Sequence, residues 1–475
     1  MATFEIACFP PIDIADRTAS VRGWICVANT NPNPDPEKAL TPRQLRRQQQ
    51  REANAFRAAS QPQQVLPLDV PLKPPSELLG PSVLVPVFCA MIVMGYLLFH
   101  AQGFAVKEGN ELSQHQSVFT AVNAATLTGF QQARNPDSYN PAGRVLTFIL
   151  MIAGMLFSFI GCGVGIIRIA RMRFKDSQLV MWAFGSVFVV AIFGGLAMMT
   201  HDRPASAATF QAVSAFGNCG LVLEEKPDPN HARTLLVLLP LAVLGGLGLP
   251  VLMDICDSLM DRGPLSRHSR AVLGWSAGVY LASVLILLVI QWPGFKWPDF
   301  RTGASAWRSA FTQSSLLSLN ARTAGLPFGE ISRLPQAATF IVILLMLVGA
   351  SPGGSGGGLK VTTLDVLTAG TLDTLAGRPP GRRFGVALVW ILAYLIMLLV
   401  STVALVISEP GMHLERTLFL AASALGNVGL SHDPVVVSTA GLYELSATMI
   451  VGRVAPMMML WYVVDTTPDA RVAVG

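Results

Sequence analysis

Charge is what this sequence has least of. Only 13% of its 475 residues are Asp, Glu, Lys or Arg, and 52% are hydrophobic; the charged share of an ordinary soluble domain is about 25%. With a mean hydropathy of +0.50, a water-soluble fold is excluded as the main state of the chain. Cysteine is scarce too. Cys8, Cys26, Cys89, Cys162, Cys219 and Cys256 form no C-x-x-C pair and fall mostly in or beside apolar segments, which excludes a disulfide framework and a zinc site. The formal net charge of +5 is not pooled in a stripe that could follow phosphates, so no nucleic acid partner is expected. The first 30 residues lack a basic start, a long apolar core and a small-residue cleavage site, and a removable signal peptide is not expected.

Apolar length is abundant. Runs able to cross ~30 Å of hydrocarbon, each needing ~20 residues, occupy 81–102, 145–170, 178–199, 233–258, 271–292, 336–375, 384–408 and 441–463. Eight crossings put both termini on one side. Arg168, Arg171, Arg173 and Lys175 follow the second run, Arg262, Arg267 and Arg270 the fourth, and Arg378, Arg382 and Arg383 the sixth; Arg43, Arg46, Arg47, Arg51 and Arg57 precede the first. By the positive-inside rule these face the cytoplasm, so the expectation is a multi-pass protein of the cell membrane, in contact with lipid and with both termini cytoplasmic. Residues 1–80 are too polar and proline-rich to build a core and read as a cytoplasmic, largely disordered extension, with Pro42 to Gln64 a candidate amphipathic helix.

From residue 81 the informative feature is an internal repeat. SVFTAVNAATLTGF (117–130), ATFQAVSAFGNCGL (208–221), LLSLNARTAGL (316–326) and TLFLAASALGNVGL (417–430) each lie between two apolar runs and end in glycine plus a large apolar residue. The first, second and fourth carry Phe119, Phe210 and Phe419 ten positions before that glycine; the third breaks the spacing. The glycines lie 91, 105 and 104 residues apart, room for two spans and a re-entrant segment each time. The expected fold is therefore all-α and integral to the membrane: eight transmembrane helices in four pseudo-repeats of span, pore helix, loop, span around a central pore. The repeats cover 81–177, 178–270, 271–383 with a broken sixth span, and 384–475 with a short C-terminal tail.

Such segments are too polar to face lipid, but backbone that is not helical is tolerated at membrane depth where it lines water. A cation leaves water only if other oxygens replace its hydration shell, and inward-pointing backbone carbonyls do this for potassium. The turn needs a residue free of the Cβ restriction. Gly129, Gly220, Gly325 and Gly429 are therefore the candidate filter positions, with the carbonyls of Thr128, Cys219, Ala324 and Val428 as further ligands: potassium held by backbone carbonyls only. Any one of these glycines alone reads as helix packing; four in matching places do not.

SPGGSGGGLKVTT (351–363) interrupts the sixth run with five glycines and places Lys360 at membrane depth. Each glycine costs a helix about 1 kcal/mol relative to alanine, so the run is expected as two half-helices joined by a flexible loop. An ionisable group at that depth marks a cavity, and Gly353, Gly354, Ser355, Gly356, Gly357, Gly358 and Lys360 form a candidate gate under the filter. GGSGG also satisfies G-x-S-x-G, but no base stands near Ser355 in sequence, and Leu359 and Val361 break the phosphate-loop pattern. An enzyme is not expected.

With these residues in view, the chain over about 81–465 resembles the Trk/Ktr/HKT superfamily of potassium transporters, and most of all its eight-span Ktr type. NARTAGL (320–326), SPGGSGGGLK (351–360), GGLGLPVLMD (245–254) and GRVAP (452–456) are similar to that family's third filter, intramembrane loop, fourth-span and final-span signatures. The resemblance implies a pseudo-fourfold pore, a homodimer, gating by the glycine loop under a cytosolic ring of nucleotide-binding subunits, and Arg453 as part of the ion barrier; from its position alone, Arg453 reads equally as an interfacial anchor. Glycine at the first filter position accompanies potassium in this family, which makes uptake of potassium the expected function and sodium or mixed transport, or a non-conducting scaffold, the alternatives. Asn123 departs from the family's usual serine, Met155 to Gly165 is a loose version of the second-span glycine pattern, and extra residues near Phe311 lengthen the third unit.

Overall fold

The computed structural model describes residues 79–466, apart from 108, 132–138, 201–203, 223–226, 229–230, 292–302, 327–330 and 433. The expectations for residues 1–78, among them the helix at Pro42 to Gln64, lie outside the described residues. Within them the chain is helical, with no strand beyond the isolated bridges Val106–Tyr139 and Val348–Leu359.

Helices follow one another in a long, short, long order. The first unit is α1 (Pro81–His100), α2 (Gln114–Ala125) and α3 (Pro141–Ile169). The second is α4 (Asp176–Met198), α5 (Ala205–Phe216), α6 (Thr234–Leu247) and α7 (Leu249–Leu259). The third is α8 (Arg267–Gln291), α9 (Gly303–Leu319), α10 (Gln336–Leu347) and α11 (Val361–Leu375). The fourth is α12 (Arg382–Ser408), α13 (Leu414–Leu425) and α14 (Thr439–Thr466). Helix starts follow local chemistry. Pro81 and Pro141 sit in the first turns of α1 and α3, where a missing N–H costs nothing. Asn140 caps α3 by accepting from the Gly143 N–H at 2.9 Å, and Gln116 Oε1 accepts from the Ser113 N–H at 3.1 Å ahead of α2.

Among the described residues six helices are long and apolar enough to cross a membrane: α1, α3, α4, α8, α12 and α14. Their outward faces carry the large exposed apolar side chains, such as Phe188 and Phe193 on α4 and Leu399 and Val400 on α12. The 12-residue helices α2, α5 and α13 are about 18 Å long, too short to cross. They are enclosed instead: Phe119, Phe210 and Phe419 are at most 3% exposed.

The run at 233–258 is not one straight helix: α6 and α7 meet at 101°. Gly248 supplies the bend with φ +87°, and Pro250 opens the new helix. The run at 336–375 breaks as expected, into α10 and α11 on either side of the glycine loop.

A second glycine ties each of three units together. A Cβ on Gly154, Gly245 or Gly452 would stand 1.8, 1.7 or 2.1 Å from the carbonyl oxygen of Ala125, Phe216 or Leu425, in each case four residues before the unit's candidate filter glycine. In these three units the helix that follows thus rests directly on the end of the short helix, backbone to backbone.

Candidate functional site

The four candidate filter glycines all take left-handed φ: +80° at Gly129, +71° at Gly220, +54° at Gly325 and +80° at Gly429. They also converge. A Cβ on Gly129 would lie 1.5 Å from the Cys219 carbonyl oxygen, one on Gly325 would lie 1.7 Å from that of Val428, and one on Gly429 would lie 1.9 Å from that of Thr128. First and second, third and fourth, and fourth and first segments are therefore in backbone contact. The second and third units meet in a buried cluster of Leu239, Ala242, Leu316 and Leu326. Thr128, Cys219 and Val428 are buried, and Ala324 ends a π turn, Asn320–Ala324, whose following residue is Gly325.

Side chains hold each bend. Asn123 clamps Phe130 from both sides, accepting from its N–H at 2.9 Å and donating to its carbonyl at 3.0 Å. Asn320 makes the same clamp on Leu326, accepting at 2.6 Å and donating to the Leu326 carbonyl. Ser214 donates a single bond to the Leu221 carbonyl at 2.8 Å. In the first, second and fourth segments the residue two before the glycine is also left-handed: Leu127, Asn218 and Asn427 have φ of 58°, 52° and 48°. Asn427 Nδ2 donates to Thr128 Oγ1 at 3.1 Å and to the Met449 carbonyl at 2.9 Å, joining fourth loop, first loop and last helix.

The glycine loop lies directly against these bends. Its residues 349–359 are all buried, and the loop is packed on the neighbouring backbone rather than free within a cavity. The break at Gly248 provides its partners. The Gly246 and Gly245 carbonyls at the end of α6 accept from the N–H groups of Ser351 and Ser355 at 3.0 and 3.1 Å, and the Leu249 N–H donates to the Gly353 carbonyl at 3.2 Å. Unpaired backbone groups at this depth would be costly, so kink and loop satisfy one another. Ser355 Oγ donates to the Phe216 carbonyl at 3.1 Å and accepts from Asn218 Nδ2 at 2.7 Å, which engages it with the second bend. A Cβ on Gly357 would meet the Gly426 carbonyl oxygen at 2.0 Å, and one on Gly354 would meet that of Gly246 at 2.6 Å. Gly353 and Gly358 have φ of +75° and +72°.

Arg453 is 6% exposed, so the interfacial-anchor reading fails. Its Nε and Nη2 donate to the Thr126 carbonyl, the former at 2.7 Å, and Nη1 donates to Ser158 Oγ at 3.2 Å and to the Ser355 carbonyl at 2.6 Å. A guanidinium thus bridges the negative C-terminal end of α2 and the middle of the glycine loop. Lys360 Nζ donates to the carbonyls of Gly356 and Gly357 at 2.6 and 3.3 Å and lines a small cavity with Ser158, Cys162, Gly354 and Arg453.

Two residues escaped the sequence reading. Arg322, inside NARTAGL, is 6% exposed and donates to the Ser276 and Gly349 carbonyls at 3.3 and 3.4 Å, gripping the start of the loop. A charge inside an apolar segment was the available signal. Gln131, just past the first bend, donates from Nε2 to the carbonyls of both Gly129 and Gly220 at 3.1 Å; nothing in its local sequence announces this.

The chain is 23% identical over 425 residues to the Ktr system potassium uptake protein B of Vibrio alginolyticus, covering 82% of this chain and 92% of that one. It is 23% identical over 419 residues to the potassium/sodium uptake protein NtpJ of Enterococcus hirae, covering 79% and 90%. The fold is similar to that of the potassium transporter TrkH from Vibrio parahaemolyticus, with a TM-score of 0.61 at 16% identity over 81% of this chain and 86% of that one. The family model described as TrkH, cation transport protein, matches residues 177–468. More than half of the sequence is thus accounted for by one family of membrane transporters, and this multi-pass chain belongs to the TrkH cation transport proteins.

Proposed function

We propose that this protein takes up potassium through a path between the four bends at Gly129, Gly220, Gly325 and Gly429, gated by the glycine loop at 349–360. Counting α6 with α7 and α10 with α11 as one broken crossing each gives eight crossings in four units around that path, with both termini cytoplasmic. The observation that carries the reading is the convergence of four glycine bends, in backbone contact across three of their seams. Closely set peptide oxygens are what replaces water around a dehydrated monovalent cation. Three relatives' names point to the same ion, and one of them, from Enterococcus hirae, names sodium as well.

The gate is the loop pinned by Arg453 and Lys360. The Arg453 guanidinium sits below the first bend, where its charge opposes an approaching cation. Freeing the loop requires breaking its bonds to Gly245 and Gly246 and releasing the Ser355 carbonyl. A homodimer and a cytosolic ring of nucleotide-binding subunits belong to this proposal through the family resemblance, and purification of the membrane protein with and without such a ring tests them.

Rubidium and sodium flux into vesicles containing the purified protein is the primary test, with growth of a potassium-uptake-deficient host on low potassium beside it. Rubidium entry and rescue of growth, both lost in Gly129→Asp, are expected. A membrane-inserted protein that passes neither ion in any loop state sinks the proposal; sodium passing as readily as rubidium replaces it with mixed transport.

A further inference from the structure

Only the first unit places an amide side chain directly after its bend. Gln131 follows Phe130, whereas the matching positions hold Val222, Pro327 and Ser431. Its Nε2 reaches two filter glycines from different units at equal distance, 3.1 Å to the Gly129 carbonyl and 3.1 Å to that of Gly220. The Gln131 backbone is itself fixed from a third unit, since its carbonyl accepts from the Val435 N–H at 3.1 Å. The side chain is half-buried. One NH2 group therefore straps the seam between the first and second segments, at the carbonyls of their two bend glycines.

We propose that Gln131 is a specificity-determining residue that biases the outer end of the filter toward potassium over sodium; this rests on the uptake function proposed above. Two physical effects act in the same direction. The strap fixes the separation of two oxygens, so they close less readily around the smaller sodium ion. Each donated hydrogen bond also draws electron density from its carbonyl and weakens the field it offers an ion. Weaker-field ligands favour the ion that is cheaper to dehydrate, which is potassium. Both cavity size and field strength are recognised routes to this selectivity, and Gln131 touches each. Among the described residues no side chain is seen bridging two filter glycines at another seam.

The test is the ratio of rubidium to sodium flux in vesicles for wild type, Gln131→Ala, Gln131→Met and Gln131→Glu. Gln131→Glu adds a carboxylate beside two carbonyl oxygens and serves as the control for charge; Gln131→Met, of similar length with no donor and no charge, removes the strap without leaving a hole. In Gln131→Ala and Gln131→Met the rubidium-to-sodium ratio is expected to fall on the order of three- to tenfold, the scale of one net hydrogen bond. An unchanged ratio in Gln131→Met overturns the inference. An equal fall in both fluxes also overturns it, since that is what a purely structural tie would produce. A wild-type protein that passes no rubidium condemns the uptake function itself, and is told apart because no ratio then exists to change.

Discussion

Three of the four bends are built one way and the third another. In the first, second and fourth, a 12-residue helix gives way to a left-handed residue, Leu127, Asn218 or Asn427, two places before the glycine. In the third, a 17-residue helix runs into a π turn at Asn320–Ala324, and Gly325 alone is left-handed. The clamps explain the difference. Asn123 reaches forward seven residues to Phe130, but Asn320 only six to Leu326. The third loop is thus one residue short, and widening the helix to a π turn makes up the reach. Leu316 then takes the place of Phe119, four residues before the clamping asparagine, and it is 4% exposed. The broken phenylalanine spacing is a one-residue deletion in the loop, while the added length of the third unit lies upstream in its helix.

If the two constructions serve one purpose, all must fail alike when the glycine is lost. Gly129→Ala, Gly325→Ala and Gly429→Ala each place a methyl group 1.5, 1.7 or 1.9 Å from a carbonyl oxygen, at positive φ. No relaxation of a side chain relieves a clash with backbone. Rubidium flux is expected to fall to background in all three, with the protein still present in the membrane. Retained flux in Gly325→Ala alone would break the equivalence and leave three working bends.

The two arginines on the glycine loop sharpen the comparison from below. Arg453 holds the Ser355 carbonyl at 2.6 Å, and Arg322, from the third segment, holds Gly349 at 3.4 Å. A unit charge about 6 Å from a passing cation opposes it by roughly 3 kcal/mol at an effective dielectric constant near 20. Arg453→Gln is therefore expected to raise unregulated rubidium flux on the order of ten- to a hundredfold, and Arg322→Gln to change it far less. Equal effects would mean that the loop is held at both points alike.

What was legible beforehand followed from repetition and composition. Four glycines in matching places, five more packed into one apolar run, and eight such runs are signals local to a few residues or recurrent along the chain. The 101° turn at Gly248 was not legible because LGLP reads as part of an apolar run; its cause is the loop more than a hundred residues later that bonds to Gly245 and Gly246. Gln131 and the glycines at 154, 245 and 452 share that reason. Their meaning lies in which backbone oxygen they meet, and neither apolar periodicity nor composition records that.

Smaller changes separate the clamps. Asn123→Ser and Asn320→Ser exchange a two-bond clamp for at most the single bond that Ser214 makes. The lost buried bond should cost each about 1–3 kcal/mol in thermal or denaturant stability of the detergent-solubilised protein. A larger loss at Asn320 is expected, because the short third loop has no left-handed residue upstream to share the turn. Equal losses would indicate that the π turn holds itself.

The smallest effect is the most discriminating. Ser214 and Ser423 occupy matching positions, four residues after Phe210 and Phe419, and both are 0% exposed. Ser214 donates to the Leu221 carbonyl at 2.8 Å, whereas Ser423 Oγ has no hydrogen-bond partner among the described residues. Removing a hydroxyl that bonds forfeits that bond; removing one that is buried without a partner relieves a desolvation cost. Ser214→Ala should therefore destabilise by about 1 kcal/mol, and Ser423→Ala should be neutral or slightly stabilising in the same melting assay. The fourth bend can dispense with the clamp because Asn427 already ties it to Thr128 and Met449. If Ser423→Ala were as costly as Ser214→Ala, the fourth bend would have to depend on its serine as the second does, and the Asn427 ties could not be what replaces it.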